Sequence, residues 1–523
     1  MPYSITEENS IMKKRILSLM LAVLMLSSAS SLTACSESAA DPAADDAAQT
    51  TPDPAEIAEG DEAAAAEEEE TLSEIEQRRL LSDNLPEVTF DGQEFRVLTR
   101  PGGETGFDYS IEIVAEELTG DACNDAVYNR NLTVEERFDT KISVMQSGSP
   151  HQDIKTFVTA GTPDYDVVGF HDYLAYVPIG AGVLMDWTDV PNVDLTQPWH
   201  NRSANDGATL NNILYAICSD LSISSMTFTY AIFANADLLT DYGYSTEDIY
   251  NLIRENEWTI DKMIEITSAM YVDKNGNGKT DKDDVYGFGY KIENPADVWM
   301  TAFGSKVCEI TNDTQITLTF MTEKNAAIIE KLVSWHYNPT AFRILSADYE
   351  EQNYFLTNKL VMAPLRFFAA YNQLRDMEAT YIMLPYPKWD TAQKGYYTNA
   401  DDQFTVFGLP LTSEENIEFV TTIYEALCAE SYKQVFPIYY DTALKGKYSS
   451  DPTTAEMVEL VMEGRAFDFS FQFGESVFQR LCYKFRDMLL TKSTDLASAY
   501  AKVEKALDRG LNKTLKKAYK MEE

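Results

Sequence analysis

Residues 153–170, DIKTFVTAGTPDYDVVGF, run through a helix, a turn at Gly161-Thr162-Pro163 and an apolar strand from Asp166 to Phe170. The same cycle stands immediately upstream. In GDACNDAVYNRNLTVEERFDTKISVM (120–145), Val127, Val134 and Phe138 fall on one helical face, and a strand follows at Ile142–Met145. Before that, DGQEFRVLTR (91–100) reads as a strand pair turning at Asp91-Gly92. Strands alternating with helices imply parallel βαβ units and an open, doubly wound α/β sheet. Ligands of such sheets meet the loops at the carboxyl ends of the strands. The loop after the strand ending at Phe170 is HDYLAYVPIGAG (171–182), the first place to look for a site.

Further along, LNNILYAICSD (210–220) reads as a strand leaving this lobe and MTFTYAIFANADLL (226–239) as one entering a second. NEWTIDKMIEITSAMY (256–271) is a helix, with Ile260, Met263, Ile264 and Thr267 at the 3.6 period and Thr259 as N-cap. VYGFGY (285–290) and LVMAPLR (360–366) are strands, and EKNAAIIEKLVSWHY (323–337) and AFRILSADYEEQNYFLTNK (341–359) are helical. QFTVFGLPL (403–411) returns to the first lobe, and helices dominate thereafter. The expected organisation is a first lobe of residues 86–218 with about 403–436, and a second of about 219–402 with 437–523.

The start of the chain differs in kind. MKKRILSLMLAVLMLSSASSLTAC (12–35) has a basic head, an apolar run too short for an ordinary spanning helix, and a Leu-x-Ala-Cys ending. That ending resembles a bacterial lipobox. It makes Cys35 the expected lipidation site and mature N-terminus, with Met12 an alternative start, and places the protein on the outer face of the cell membrane. From Ser36 to Gln77 there are fifteen acidic residues and no Lys or Arg, so residues 36–85 are expected to be an acidic tether unable to build a core. The net charge of −42 argues against nucleic acid, whose binding needs a basic footprint. Apart from Cys35, the five cysteines are too scattered for a disulfide framework or a zinc site, a Cys428–Cys482 bridge being the one pairing left open.

Several stretches together resemble the lipid-anchored solute-binding proteins of ABC importers, in particular the carbohydrate-type, maltose-binding-like family in its Gram-positive members. GDACNDAVYNRNLTVEERF (120–138) looks like that family's first-lobe helix. PWHNRSANDGATLNNILYAICSD (198–220) is similar to its stretch before the first crossing, which usually has Trp where His200 stands. EWTIDKMIEI (257–266), DKNGNGKTDKDDVYGF (273–288), LPYPKWD (384–390) and EALCAESYKQVFPIYYDTALKGKY (425–448) also look like that family's. The resemblance covers nearly all of residues 86–523. It implies a two-lobed binding-protein fold with several hinge crossings and a cleft closing on a soluble ligand, a mono- or oligosaccharide first. It also implies ABC permease subunits as partner, a monomer, and no chemistry on the ligand.

Sugar recognition needs flat apolar faces beside polar groups. On that basis Asp172 is expected to accept hydroxyl hydrogen bonds, with His171 beside it and Tyr173 or Tyr176 stacking. The resemblance makes Trp299, in NPADVWMTAFGS (294–305), the stacking tryptophan. Arg366, after its strand, is placed to anchor hydroxyls or a carboxylate, a surface ion pair being the alternative. Asp220 at the first hinge and Asp401 and Asp402 at the second complete the set. Trp258 and Trp335 read as core, whereas Trp199 and His200 either edge the cleft or pin a loop.

DKNGNGKTDKDD (273–284) has the frame of an EF-hand loop. Its oxygen donors would be Asp273, Asn275, Asn277, the Lys279 carbonyl, Asp281 and Asp284. It joins a helix to a strand, so the expectation is a structural calcium staple and not a sensor, a bare polar turn being the alternative; no cofactor is expected for function. A surface glycosidase remains the enzymatic alternative, but HExxH, Gly-x-Ser-x-Gly and P-loop motifs are missing from the sequence. Binding of peptides or other small solutes is a further alternative.

Overall fold

The computed structural model describes residues 74–103, 106–348, 350–444 and 452–521. The export signal, Cys35 and the acidic segment through residue 73 lie outside them. The strands are β1 (Gln93–Thr99), β2 (Thr140–Gln146), β3 (Val167–His171), β4 (Ala216–Ile217), β5 (Tyr230–Asn235), β6 (Tyr286–Tyr290), β7 (Cys308–Thr311), β8 (Gln315–Leu318), β9 (Arg343–Ile344), β10 (Leu360–Arg366), β11 (Tyr381–Leu384) and β12 (Thr405–Gly408). Two five-stranded sheets result, ordered β2-β1-β3-β12-β4 and β11-β5-β10-β6-β9, with β7 and β8 forming a separate hairpin.

The first lobe grows from the two cycles read in the sequence. Asp121 caps helix Ala122–Phe138 by accepting from the amides of Cys123 and Asn124, and Asp139, left-handed at φ 45°, ends it. The chain then enters β2, which pairs in parallel with β1 from Gln93↔Thr140 to Thr99↔Gln146. Helix Pro150–Ala160 starts on proline and stops at Gly161, whose φ of 69° closes the turn into β3. The expected strand pair at Asp91-Gly92 is a single strand. Asp91 and Gly92 form a left-handed turn, and the Gly92 amide donates to the Asp139 carbonyl instead of to a hairpin partner. Nor are the sheets wholly parallel. β12 runs antiparallel to β3 and β4, and β5 antiparallel to β10 and β11, because these strands enter from the other lobe.

In the second lobe β5, β6 and β10 are buried along their whole lengths. Helix Ile260–Ser268, capped by Thr259 as expected, packs directly on β6. A Cβ at Gly287 would lie 1.8 Å from the Thr267 carbonyl, so only glycine permits that approach. The stretch 341–359, read as helix, is split between β9 and helix Glu350–Leu356.

Two crossings lie side by side. Tyr230 donates its amide to the Asn399 carbonyl, and Asp401 donates to that of Phe228. The end of the chain does not remain with the second lobe. Helix Pro452–Glu463 lies on β11, yet Tyr519 packs on Tyr215 at 5.3 Å, and Asn211 donates to the Tyr519 carbonyl. The packed structure also starts before residue 86, inside the segment expected to be tether. Residues Glu74–Arg79 are helical, Arg78 lies over the Tyr432 ring, Arg137 pairs with Asp83, and Leu85 joins the first-lobe core. All five described cysteines are free. Cys428 donates to Ser219 in the first lobe while Cys482 sits in a different cluster, so the Cys428–Cys482 bridge does not form.

Candidate functional site

The carboxyl ends of β1, β2, β3 and β6, together with the second crossing, enclose a cleft of about 450 Å3. That is within the range of small-molecule sites. Arg100, Gly103, Gly148 and His171 supply the first-lobe wall. Tyr230, Lys291, Asn294 and Glu351 supply the opposite wall, and Asp401 and Gln403 come from the second crossing.

The strand ends place these groups. Arg100 directly follows β1 and is 5% exposed. Its guanidinium lies 3.8 Å above the Tyr109 ring, and Nη2 donates to Thr405 Oγ1 at 2.7 Å. His171 ends β3, edge-on to Tyr109 and stacked with Tyr173 at 5.3 Å. Burial lowers its pKa to about 2, so the ring is neutral and offers one donor and one acceptor. Neither ring nitrogen has a partner among the described residues. Asp401 accepts from Tyr230 Oη at 3.1 Å and from Asn294 Nδ2 at 2.9 Å, and its carboxylate is 3.7 Å from Arg366. Arg486 donates to Asn294 Oδ1 at 2.9 Å, tying the C-terminal segment to the same amide. Glu351 is 6% exposed, burial pushes its pKa up to about 7, and its Oε2 has no partner.

Of the residues expected from the sequence, His171 and Asp401 line the cleft. Tyr173 reaches it only through its stack on His171, and Tyr176 packs against the core. Asp172 turns the other way. It accepts from Gln472 Nε2 at 2.8 Å and borders a space of about 30 Å3, room for a water and no more. Burial pushes its pKa to about 7. Asp402 borders the same small space, accepts from Tyr483, and is likewise pushed to about 7 by burial and by Asp401. Asp220 is pushed to about 7 by burial, opposed by Arg465 at the first crossing. Arg366 is a buried group over the Phe228 ring, not part of a surface ion pair.

The expectation for Trp299 is corrected. Trp299 is fully buried, donates through Nε1 to Tyr290 Oη at 2.7 Å and stacks on Phe303. Its helix, Asn294–Ala302, does begin at the cleft, but at a rise of about 1.5 Å per residue the tryptophan lies more than a turn deeper. Trp258 and Trp335 are core, as read. Trp199 and His200 pin a loop, both holding the buried Glu425 carboxylate, at 2.8 and 2.9 Å. Reading from the sequence missed Arg100, Tyr109, Tyr230, Asn294 and Glu351. The rule that ligands meet carboxyl strand ends, applied to β1 and β6 as well as β3, would have found Arg100 and Asn294.

The chain matches no family model and no curated protein. Solved structures do match its fold. A cyclo/maltodextrin-binding protein complexed with maltotetraose aligns with a TM-score of 0.52 at 12% identity, covering 83% of this chain and 99% of that one. An ABC transporter solute-binding protein from Thermotoga lettingae, bound with alpha-D-tagatose, aligns at 0.51 and 13% identity, covering 80% and 100%. The fold is that of a two-lobed solute-binding protein. The residues with unpaired groups, Arg100, His171 and Glu351, all line the inter-lobe cleft.

The loop at 273–284 is self-contained. It follows helix Ile260–Ser268, and the Val272↔Val285 bridge closes it into β6. Asp273 accepts from the amides of Gly276, Asn277 and Gly278. Asp281 accepts from the side chains of Asn275 and Asn277, and Asp284 from Tyr271, Lys274 and Asp281. Among the described residues no three His, Cys, Asp or Glu side chains converge as a metal cluster, and in the loop the two asparagine amides occupy an Asp281 oxygen.

Proposed function

We propose that the protein is a lipid-anchored extracellular receptor that captures a soluble saccharide in the inter-lobe cleft and passes it to ABC transporter permease subunits. The observation that carries this reading is the cleft, with unpaired polar groups from both lobes meeting in a space of ligand size inside a solute-binding fold. The sugars named for the two matched structures, maltotetraose and tagatose, favour a carbohydrate. Hinge closure would bring the two walls together on the ligand. In this role the protein acts as a monomer and performs no reaction. Cys35 carries the lipid, two acyl chains being enough for stable anchoring where one is not.

The test is a thermal-shift screen against mono- and oligosaccharides, amino sugars and peptides, with chromatography of the recovered ligand. Saturable stabilisation with the ligand unchanged supports the receptor. Hydrolysed ligand would establish a glycosidase instead, and stabilisation by peptides alone would move the ligand class. For the anchor, Cys35→Ser should release the protein from the membrane fraction. Retention there would refute lipidation at Cys35.

For the loop at 273–284 the proposal is a calcium staple between a helix and a strand, with Asp273, Asn275, Asn277, the Lys279 carbonyl, Asp281 and Asp284 as donors. Two neutral asparagines in the frame make the affinity modest.

A further inference from the structure

The cleft contains a positive charge that pairs with no carboxylate directly among the described residues. Arg100 is buried, and its Nε and Nη1, which carry three of its five N–H donors, have no hydrogen-bond partner. Only Nη2 is engaged closely, by Thr405 Oγ1. Glu112 attracts Arg100 by charge, but its hydrogen-bond link to the guanidinium runs through that threonine. Its own oxygens take the Ser224 amide at 2.7 Å, the Ser224 hydroxyl at 2.6 Å and the Thr405 hydroxyl. The other cation of the cleft is different, because Lys291 is held between Glu293, at 2.8 Å, and Asp348.

The rest of the lining suits hydroxyls. Among the described residues, His171 is neutral with both nitrogens buried and unpartnered, Glu351 has one unpartnered oxygen, and Tyr109 and Tyr230 supply rings. Beside Arg100, Gly103 and Gly148 leave space, since a Cβ at either would meet nothing within 4 Å. Closing the cleft on a neutral sugar would leave the guanidinium away from water with three donors unfilled and Glu112, one hydroxyl away, as its counter-charge, which is costly. A carboxylate would satisfy it by charge-assisted hydrogen bonds.

We infer that the ligand is an acidic saccharide, a uronic acid or an oligosaccharide containing one, whose carboxylate seats on Arg100 while its hydroxyls meet His171, Glu351 and Asp401. This rests on the receptor reading above and narrows its ligand class.

The test is calorimetric titration of the protein with matched pairs: galacturonic acid against galactose, glucuronic acid against glucose, and trigalacturonate against a neutral galactotriose. The acidic member of at least one pair should bind about tenfold tighter or more. Arg100→Gln should bring that ratio close to one, and Arg100→Lys should retain part of the preference. Should Arg100→Gln fail to fold, the ratio in the unmodified protein still decides. Neutral sugars binding as tightly as their acids, or tighter, would overturn the inference and leave the receptor reading standing. Binding of no saccharide, acidic or neutral, would overturn both.

Discussion

Two aromatic-polar clusters lie within one helix length of each other in this protein, and their hydrogen bonds tell them apart. Around Trp299 the indole's own hydrogen-bond chain is closed, while Trp335 Nε1 and Tyr386 Oη beside it are unpartnered among the described residues but do not line the cleft. Trp299 Nε1 donates to Tyr290 Oη, Tyr290 meets His336 Nε2 at 2.5 Å, and His336 Nδ1 meets the Leu332 carbonyl at 2.7 Å. Phe288, Phe303, Trp335 and Phe342 fill the space around it. At the cleft, Arg100, Tyr109, His171 and Glu351 form a cluster of similar composition, but with open nitrogens and an open oxygen. A buried polar group normally finds its partner inside the protein. Where several in one cavity do not, the partner is expected from outside. The difference separates a tryptophan that holds a lobe together from an arginine that waits for a ligand.

The comparison breaks first at Trp299. Trp299→Ala should cost about 3–5 kcal/mol of stability by denaturant titration, since it empties a closed core site. Trp299→Phe, which keeps most of the volume, should still bind ligand as the parent does.

Glu351→Gln comes next. It should weaken ligand by about 1–3 kcal/mol, because the open carboxylate oxygen is replaced in a buried site. A calorimetric titration unchanged from the parent would remove Glu351 from the site.

Asp172→Asn sharpens the contrast from the other side, as a polar residue of the loop that serves the fold. Its folded pKa of about 7 lies above the ordinary 3.8, so the folded state holds a proton that the unfolded chain releases. The stability this contributes is fully present below about pH 4 and is lost as the pH rises through 7. Asn keeps an acceptor for Gln472 and never charges. Asp172→Asn should therefore melt higher than the parent at pH 8, by the order of 1 kcal/mol or more, and alike at pH 4. It should leave ligand affinity unaltered at both.

The smallest effect is that of calcium. Added calcium should raise the melting temperature slightly, and chelation should leave ligand binding intact. Loss of binding on chelation with the fold preserved would contradict the staple.

The sequence made the scaffold legible where the signals are local. Helix Ala122–Phe138 with its aspartate cap, the glycine-closed turn at Gly161, the Thr259 cap and the return strand at 405–408 all follow from period and turn chemistry. Strand direction was not legible, because β12 and β5 owe their antiparallel pairing to chain crossings that no local pattern records. The site was legible in part. His171 and Asp401 sit where loops at strand ends and at a hinge put them. Trp299 misled because a tryptophan near the start of a cleft-facing helix looks the same in sequence whether its indole faces the cleft or the core. Arg100 was passed over because nothing in RVLTRPGG shows that the side chain following the strand will be buried with three of its donors unpaired.

The most direct test of the account is a calorimetric titration of one ligand, the best found in the saccharide screen, against the parent, Arg100→Gln and Trp299→Phe. The account predicts that Arg100→Gln loses about tenfold or more in affinity while Trp299→Phe binds within about twofold of the parent. Parent-like binding by Arg100→Gln with binding lost in a folded Trp299→Phe would contradict it.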